Sequence, residues 1–207
     1  MKSFHNVINK KIINKLNLLL NSYKVKKSLW IFPGDNSMLE NKVKSFITKD
    51  TFLQNLIDIR DAYIVFRIVN EEDKSRSLEG HFDNYLNTYY IPLKLPSKSN
   101  PRNFRGEMYF WENARQMPNN NIRHIIDKFL FQNVLSRRLI PKFFKKKFKY
   151  AEPEIGDMLY FNGFTTLHYN RPTLSQHRSL VIHTVMPLGK SLLERLIDSY
   201  SRLRVKR

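Results

Sequence analysis

Residues 154–168 of this 207-residue chain, EIGDMLYFNGFTTLH, contain the pattern that is most informative about its fold. Gly156-Asp157 predicts a turn, the apolar run after it predicts a β-strand, and Gly163 opens a loop that leads to His168. A polar, proline-containing loop follows at 169–176, and a second β-type run at 178–185. The pattern therefore predicts two strands joined through a segment that presents His168.

A second histidine and a carboxylate lie far upstream, in the tripeptide His81-Phe82-Asp83. Residues i and i+2 of a β-strand point to the same side of a sheet, so His81 and Asp83 could bind one ion while Phe82 faces away. A helix would separate the two side chains by about 200°. With His168 they make a set of two histidines and one carboxylate, which can hold a ferrous ion and leave coordination positions open for chemistry.

Taken singly, these residues have plainer interpretations. A His-X-Asp tripeptide arises by chance in roughly one such chain out of four, and His81 and Asp83 could be a surface turn pair. His168 alone would more often be an ordinary loop histidine than a metal ligand. Two rival ligands are His177, just before the second β-type run, and His183 within it.

The order His-X-Asp, Gly-Asp strand, distal histidine and basic residue resembles the Fe(II)- and 2-oxoglutarate-dependent oxygenases, especially their phytanoyl-CoA-dioxygenase-like branch. The resemblance covers about residues 60–188, and its basic residue is Arg178, ten residues after His168. It implies that His81, Asp83 and His168 bind Fe(II). It also implies that Arg178 binds the distal carboxylate of 2-oxoglutarate, a role that suits the paired donors of a guanidinium. The implied reaction uses O2 and 2-oxoglutarate to hydroxylate a substrate.

The same resemblance implies a mainly β fold with flanking helices, built as a double-stranded β-helix, the jelly-roll or cupin-like barrel of two antiparallel sheets. The iron would lie at the barrel mouth, with Arg178 deeper than the metal. Tyr90, on a predicted strand at 88–95, is the candidate for lining the 2-oxoglutarate pocket, with Tyr89 as the alternate. Both could equally be core or surface tyrosines. Because strand alternation puts His177 and His183 opposite Arg178, we predict that His183 is a packing or surface residue.

Residues 1–207 are predicted to form a single domain. Apolar residues at helical intervals predict a helix over 4–24 and one or two more over 38–60, with a short strand at 30–35, so that 1–60 would support the sheets. Residues 61–188 would form the barrel, with a β-type run at 63–69 that leads through a polar loop at 70–80 to His81. The proline in the strand at 88–95 fits an edge strand or a bulge. A helix would be inserted near 120–140, in which His124 is given no role. Residues 189–207 would form a basic C-terminal helix.

The composition excludes several kinds of site. The chain has no cysteine, which rules out disulfides, thiolate metal ligands and cysteine nucleophiles. A hydrophobic fraction of 42% is sufficient for a core. No apolar stretch reaches about 18 residues, so we expect no transmembrane helix, no signal peptide and a cytoplasmic location.

The formal charge of +18 bears on partners rather than on chemistry, because it concentrates anions near the surface. Its densest segment is residues 142–150, KFFKKKFKY, where lysines are interleaved with aromatics. The segment could be a solvated face whose aromatics enter the core, or it could bind an acidic carbohydrate, lipid or acyl carrier. It could also contact an anionic membrane surface or bind nucleic acid. We favour an anionic small-molecule or carrier-bound substrate over nucleic acid.

The favoured function is hydroxylation of a small molecule, glycan, lipid or carrier-bound group by an iron oxygenase. The alternatives are hydroxylation of protein or nucleic acid, an inactive barrel that binds nucleic acid or a membrane, and a cupin-type metal enzyme without 2-oxoglutarate. Arg178 separates the last alternative from the first, because its replacement should impair use of 2-oxoglutarate only if that cosubstrate is correct.

Overall fold

The computed structural model describes residues 1–25, 28–32, 34–70, 80–97, 105–132, 139–140, 142–173 and 175–186. Most of the polar loop at 70–80 and all of the predicted C-terminal helix at 189–207 lie outside these residues. Within the described part, no helix is both long enough and apolar enough to cross a bilayer.

The N-terminal part contains three helices, as predicted, and also two edge strands. Its elements are β1 (Lys2–Phe4), α1 (Lys10–Leu20), β2 (Ser28–Ile31), α2 (Ser37–Lys49) and α3 (Thr51–Leu56). Strand β2 overlaps the short strand predicted at 30–35, whereas β1 was not predicted, and both extend a sheet whose other strands lie after residue 60.

Helix α1 is shorter than the predicted helix over 4–24. The Asn9 side chain caps it by accepting hydrogen bonds from the backbone N–H groups of Lys11 and Ile12, while residues 2–4 pair with a strand distant in sequence. The buried face of the helix includes Leu16 and Leu20, both 0% exposed. Burial of each leucine contributes about 1.5–3 kcal/mol, so packing rather than helix propensity holds α1 in place.

Among the residues that the structure describes after α3, there are seven strands and one α-helix. They are β3 (Tyr63–Val69), β4 (Asn87–Lys94), β5 (Met108–Trp111), α4 (Asn121–Gln132), β6 (Lys149–Ala151), β7 (Met158–Asn162), β8 (Leu167–Asn170) and β9 (His177–Thr184). A 3-10 turn at Lys145–Lys147 precedes β6. The predicted strands at 63–69 and 88–95 and the helix near 120 are confirmed, and strand β9 begins one residue before its predicted start.

The strands form two antiparallel sheets. The major sheet has the order β1-β7-β4-β9-β3-β2, and the minor sheet has the order β6-β5-β8. A bridge between His81 and His168 adds one further extended segment beside β8. The chain thus crosses repeatedly between the sheets, and the prediction of a mainly β protein with flanking helices is confirmed.

Two hydrophobic clusters hold these layers together. The larger lies between the helices and the outer face of the major sheet, where Phe66, Ile91 and Leu180 are buried. The smaller lies between the two sheets and consists of Tyr90, Met108, Phe110, Leu159 and Phe161. Each strand of the major sheet therefore has a helix-facing side and an inter-sheet side, and the side that a residue occupies decides whether it can reach a site between the sheets.

Strand β4 accommodates a proline by a bulge, as the sequence predicted. The register between β4 and β9 shifts between Pro92 and Lys94, and pairing with β7 has already ended at Tyr90. Pro92 therefore lies where the missing N–H is tolerated. On the same strand, the Tyr89 hydroxyl faces the helices and donates to the Leu56 carbonyl at 2.7 Å.

Candidate metal centre

The two histidines of the predicted ligand set are neighbours in the minor sheet. The backbone N–H of His81 donates to the His168 carbonyl at 2.9 Å, and the N–H of His168 donates back to His81 at 3.1 Å. This reciprocal pair brings the ring centroids to 4.2 Å. Backbone pairing, and not side-chain attraction, places the two imidazoles side by side.

Asp83 reaches the same point because its segment stays extended. Its N–H donates to the Gly163 carbonyl at 2.9 Å. Phe82 points the other way, as the strand argument predicted, and is 3% exposed beneath the Arg115 guanidinium, which lies 4.2 Å from its ring centroid. The tripeptide thus presents two ligands on one face and anchors itself by the residue between them.

The three side chains converge within the described part of the chain. One ligand atom from each of His81, Asp83 and His168 lies within 4.8 Å of the others, and His168 Nε2 is 3.8 Å from Asp83 Oδ1. Atoms that share an ion at about 2.1 Å lie at most about 4.2 Å apart, so small side-chain rotations complete the set. Two imidazoles and one carboxylate suit a divalent transition metal such as Fe(II), and the residues present fit the implied ion.

Outer contacts orient two of these ligands. His168 Nδ1 lies 3.2 Å from the Thr166 carbonyl, a contact that requires the proton on Nδ1 and leaves the Nε2 lone pair toward Asp83. The Thr88 hydroxyl donates to Asp83 Oδ2 at 2.7 Å, so Oδ1 is the oxygen turned toward His168.

Charge favours the ionised form of Asp83. Burial opposes ionisation of this carboxyl, but His168, His183, His81 and the Thr88 hydroxyl together hold its pKa below the ordinary value. The carboxylate is therefore anionic at neutral pH, which is the form that a cation binds.

The predicted placement of Arg178 is wrong. Its guanidinium lies on the helix-facing side of β9, where Nη1 donates to the Asn17 carbonyl of α1 at 3.0 Å and Nε donates to Gln176 at 2.9 Å. Arg178 shares this side with Leu180 and Ile182 of the larger core cluster. A ten-residue interval from His168 fixes a position along the chain but not the face of the strand, which depends on the pairing register of β9.

His183 lies on the opposite side of β9 from Arg178, as predicted, and that side faces the metal centre. Its Nδ1 lies 3.9 Å from Asp83 Oδ2 and 3.1 Å from the Thr88 hydroxyl. Burial lowers the pKa of His183, partly offset by Asp83. His183 is therefore a packing residue of the site and not of the surface.

A cleft between the two sheets extends from the three candidate ligands. Tyr90, the candidate for the 2-oxoglutarate pocket, lines this cleft together with Arg67 and Asn170. The Tyr90 hydroxyl lies 2.8 Å from His177 Nε2. Burial and the charge of Arg67 lower the pKa of His177 to about 3, so this imidazole is neutral at pH 7.

Sequence reasoning missed Arg67 as a site residue. It lies on the inter-sheet side of β3, donates from Nη1 to Asn170 Oδ1 at 3.1 Å and places its guanidinium 5.2 Å from the Trp30 ring centroid. The available signal was a single arginine in the apolar run YIVFRIV at 63–69, because a charge in such a strand has to meet a polar group.

A buried polar group behind residues 81–83 was also not predicted from the sequence. His124 is 0% exposed, stacks on Phe164 at 4.5 Å, and lies 3.2 Å from Arg115 through Nδ1 and 3.3 Å from Asn84 through Nε2. These contacts connect α4 to the residues beside Asp83. No sequence signal distinguished His124 from an exposed helical histidine.

Comparisons with solved structures agree with this architecture. A prolyl-4-hydroxylase from Pseudomonas putida is similar with a TM-score of 0.53 and 11% identity, over 89% of this chain and 91% of that one. A prolyl 4-hydroxylase from Phytophthora capsici gives a TM-score of 0.56 and 10% identity, over 98% and 68%. A Trichoplax adhaerens prolyl hydroxylase, solved with a hypoxia inducible factor peptide fragment, gives 0.55 and 10%, over 95% and 86%.

By sequence, no family model matches the chain and no curated protein matches it. The structural neighbours are prolyl hydroxylases, so the phytanoyl-CoA-dioxygenase-like branch is not confirmed. The chain has the fold of these prolyl hydroxylases, and at 10–11% identity the likeness is one of fold.

Proposed function

We propose that the protein is an Fe(II)- and 2-oxoglutarate-dependent dioxygenase that hydroxylates its substrate. The observation that carries the proposal is the convergence of His81, Asp83 and His168 within 4.8 Å at a cleft between two antiparallel sheets. The proposed architecture is a double-stranded β-helix, with β3, β4, β7 and β9 on one side and the His81 segment, β5, β6 and β8 on the other. The fold shared with prolyl hydroxylases supports it.

His81, Asp83 and His168 would hold the iron, which together with 2-oxoglutarate supplies the oxidising chemistry when bound. The chain's own residues orient the ligands and shape the cleft. Thr166 fixes the His168 tautomer and Thr88 fixes the Asp83 carboxylate. The buried side chains of Met108 and Phe161 exclude water from the inner wall of the cleft.

Two substrate classes remain in the proposal. The charge of +18 favours an anionic small molecule or carrier-bound group, whereas the peptide bound in the Trichoplax structure favours a peptide. The basic segment 142–150 does not line the cleft: Phe144 and Phe148 pack on Trp111, and Trp111 follows the inward-facing Phe110 on β5. This basic segment therefore lies on the outer face of the minor sheet, away from the metal centre.

The activity test is succinate formation from 2-oxoglutarate with Fe(II) and O2, across a panel of anionic metabolites and proline-containing peptides. The wild-type protein should form succinate, and one member of the panel should increase the rate of succinate formation. His168→Ala should abolish it, because one of three protein ligands is lost. The control His5→Ala removes an imidazole that is 75% exposed and should retain the rate. Equal rates in wild type and His168→Ala would overturn the ligand assignment.

The non-enzymatic alternative makes the opposite prediction. An inactive barrel would form no succinate with any member of the panel and would bind DNA or RNA in a strongly salt-dependent manner. That pair of results would replace the oxygenase proposal with a nucleic-acid-binding function.

A further inference from the structure

We propose that Arg67, on the first strand of the proposed barrel, binds the distal carboxylate of 2-oxoglutarate in place of a basic residue on the last strand. The inference rests on the proposed function and concerns which residues recognise the cosubstrate. It changes the strand that supplies the cation, from β9 to β3.

The position of Arg67 supports this role. Its side chain lines the same cleft as His81, Asp83 and His168, and among the described residues that line this cleft it is the only lysine or arginine. The contacts with Asn170 and Trp30 orient the guanidinium from two sides. A guanidinium held in this way is a preorganised partner for a carboxylate.

Two hydroxyl groups lie beside it. Ser179 is the register partner of Arg67 across β3 and β9, faces the same inter-sheet side and is 0% exposed. Within the described part of the chain, the Ser179 Oγ makes no well-formed hydrogen bond. Burial raises the pKa of the Tyr90 phenol, and the Ser179 hydroxyl partly opposes that rise. A carboxylate accepts several hydrogen bonds, so it could use the guanidinium, the serine hydroxyl and the phenol together.

The surrounding groups make the position selective for an anion. Burial raises the pKa of the Tyr90 phenol and the charge of Arg67 opposes that rise, while burial and the charge of Arg67 both lower the pKa of His177. His177 is neutral at pH 7 and contributes no competing charge. Arg178 already donates to Asn17 and Gln176 on the far side of the strand, so it cannot reach the cleft without leaving both partners.

The ligand class that follows is a 2-oxo acid with a second carboxylate. 2-Oxopentanoate has the carbon chain of 2-oxoglutarate without the distal carboxylate, so the ratio of the two dissociation constants isolates the group that Arg67 is inferred to bind. Both acids are titrated anaerobically against the Fe(II)-loaded protein by the visible charge-transfer band that a chelated 2-oxo acid produces. The readout is binding and does not depend on turnover.

Wild type should bind 2-oxoglutarate about 100-fold more tightly than 2-oxopentanoate, as expected for a buried charge-assisted pair. Arg67→Gln should reduce this ratio to below about 5-fold, mainly by weakening 2-oxoglutarate. Arg67→Lys should give an intermediate ratio, because the charge remains without the paired donors. The matched control Arg178→Gln should keep the wild-type ratio even if the loss of its contacts to α1 lowers the melting temperature.

A ratio that collapses in Arg178→Gln and persists in Arg67→Gln would overturn the inference and leave the proposed function intact. If wild type gave a band with neither acid, the proposed function itself would fail. If the wild-type protein bound both acids equally, the role inferred for Arg67 would be wrong, whereas the proposal that the protein binds 2-oxo acids through Fe(II) would still hold. Bound Fe(II) measured after desalting should be the same in all variants, which separates loss of the cosubstrate contact from loss of the metal centre.

Discussion

At the scale of single residues, Gly163 is as important for the geometry of the site as the three candidate ligands. A Cβ built at this position would lie 2.6 Å from Asp83 Oδ2 and would also collide with the Thr88 hydroxyl. The Gly163 carbonyl meanwhile receives the Asp83 N–H. The ligand carboxylate therefore needs glycine at 163 because of close approach, which is one of the reasons a strand-end glycine is found beside a site.

Replacing Gly163 by alanine should displace Asp83 and weaken metal binding by at least about 10-fold, equivalent to about 1.4 kcal/mol. The measurement is the affinity for Mn(II), followed by electron paramagnetic resonance. Gly34→Ala is the control, because no atom lies within 4 Å of a Cβ built at that position. Its positive φ means that the substitution should lower the free energy of unfolding without changing the affinity for Mn(II). Unchanged Mn(II) affinity in Gly163→Ala would contradict the close-approach argument.

Arg115 is a second residue whose effect reaches the ligands indirectly. Its Nε donates to the Phe164 carbonyl at 2.8 Å, Nη1 lies 3.5 Å from Asp127, and the guanidinium covers Phe82. Arg115→Met keeps much of the volume but leaves these acceptors without their donor. We expect a loss of about 2–4 kcal/mol in the free energy of unfolding, measured by urea denaturation. The exposed Arg60→Met, whose side chain is 84% accessible, should change it by less than about 0.5 kcal/mol.

At the scale of elements, strand β9 brings two histidines between the sheets. The ordinary pKa of 6.5 falls to about 3 for His177 on folding. Between these values the unfolded chain binds a proton that the folded protein does not, so the free energy of unfolding rises with pH. The contribution is complete above pH 6.5 and is lost as the pH falls toward 3, with a slope of up to about 1.4 kcal/mol per pH unit.

His177→Gln should therefore flatten the pH dependence of stability between pH 4 and 6. Urea unfolding at several pH values gives the slope, and the absolute stability of the variant does not enter the comparison. The control Asn14→Ala, at an exposed position without an ionisable side chain, should leave the wild-type slope. Parallel pH profiles for wild type and His177→Gln would contradict the assignment of a buried neutral imidazole.

Helix α1 supports the outer side of the same strand. Asn9→Ala should remove the cap and lower the free energy of unfolding by about 1 kcal/mol, measured by urea denaturation. Asn14→Ala, at an exposed position inside the helix, should be neutral or slightly stabilising because alanine is the better helix former. Equal effects of the two substitutions would show that the cap contributes nothing specific.

The strands and helices also show which structural features local sequence patterns can predict. Local signals were sufficient for β3, whose apolar run begins and ends as predicted, and for the Pro92 bulge in β4. The N-terminal helix was predicted too long because the pairing of residues 2–4 with β7 is non-local. The side of β9 on which Arg178 lies could not be predicted, because the sequence pattern does not determine the pairing register and a one-residue shift in register exchanges the two faces of a strand.

At the scale of the whole molecule, the three candidate ligands could be predicted from the sequence because their residue types and order are unusual together. The cation in the cleft could not be predicted, because Arg67 lies on a different strand from the expected one and only the pairing of β3 with β9 brings it beside Ser179. Chain order indicated the candidate metal ligands, whereas sheet topology decides which cation and which hydroxyl groups lie near them.

The proposed function requires that one site binds both Fe(II) and 2-oxoglutarate. The most direct measurement is an anaerobic titration of the purified protein with Fe(II) in the presence of 2-oxoglutarate, followed by visible absorption. We predict a weak charge-transfer band that saturates at one equivalent of iron and is missing in Asp83→Ala. Absence of the band from wild type, or a band of equal intensity in Asp83→Ala, would contradict the claim.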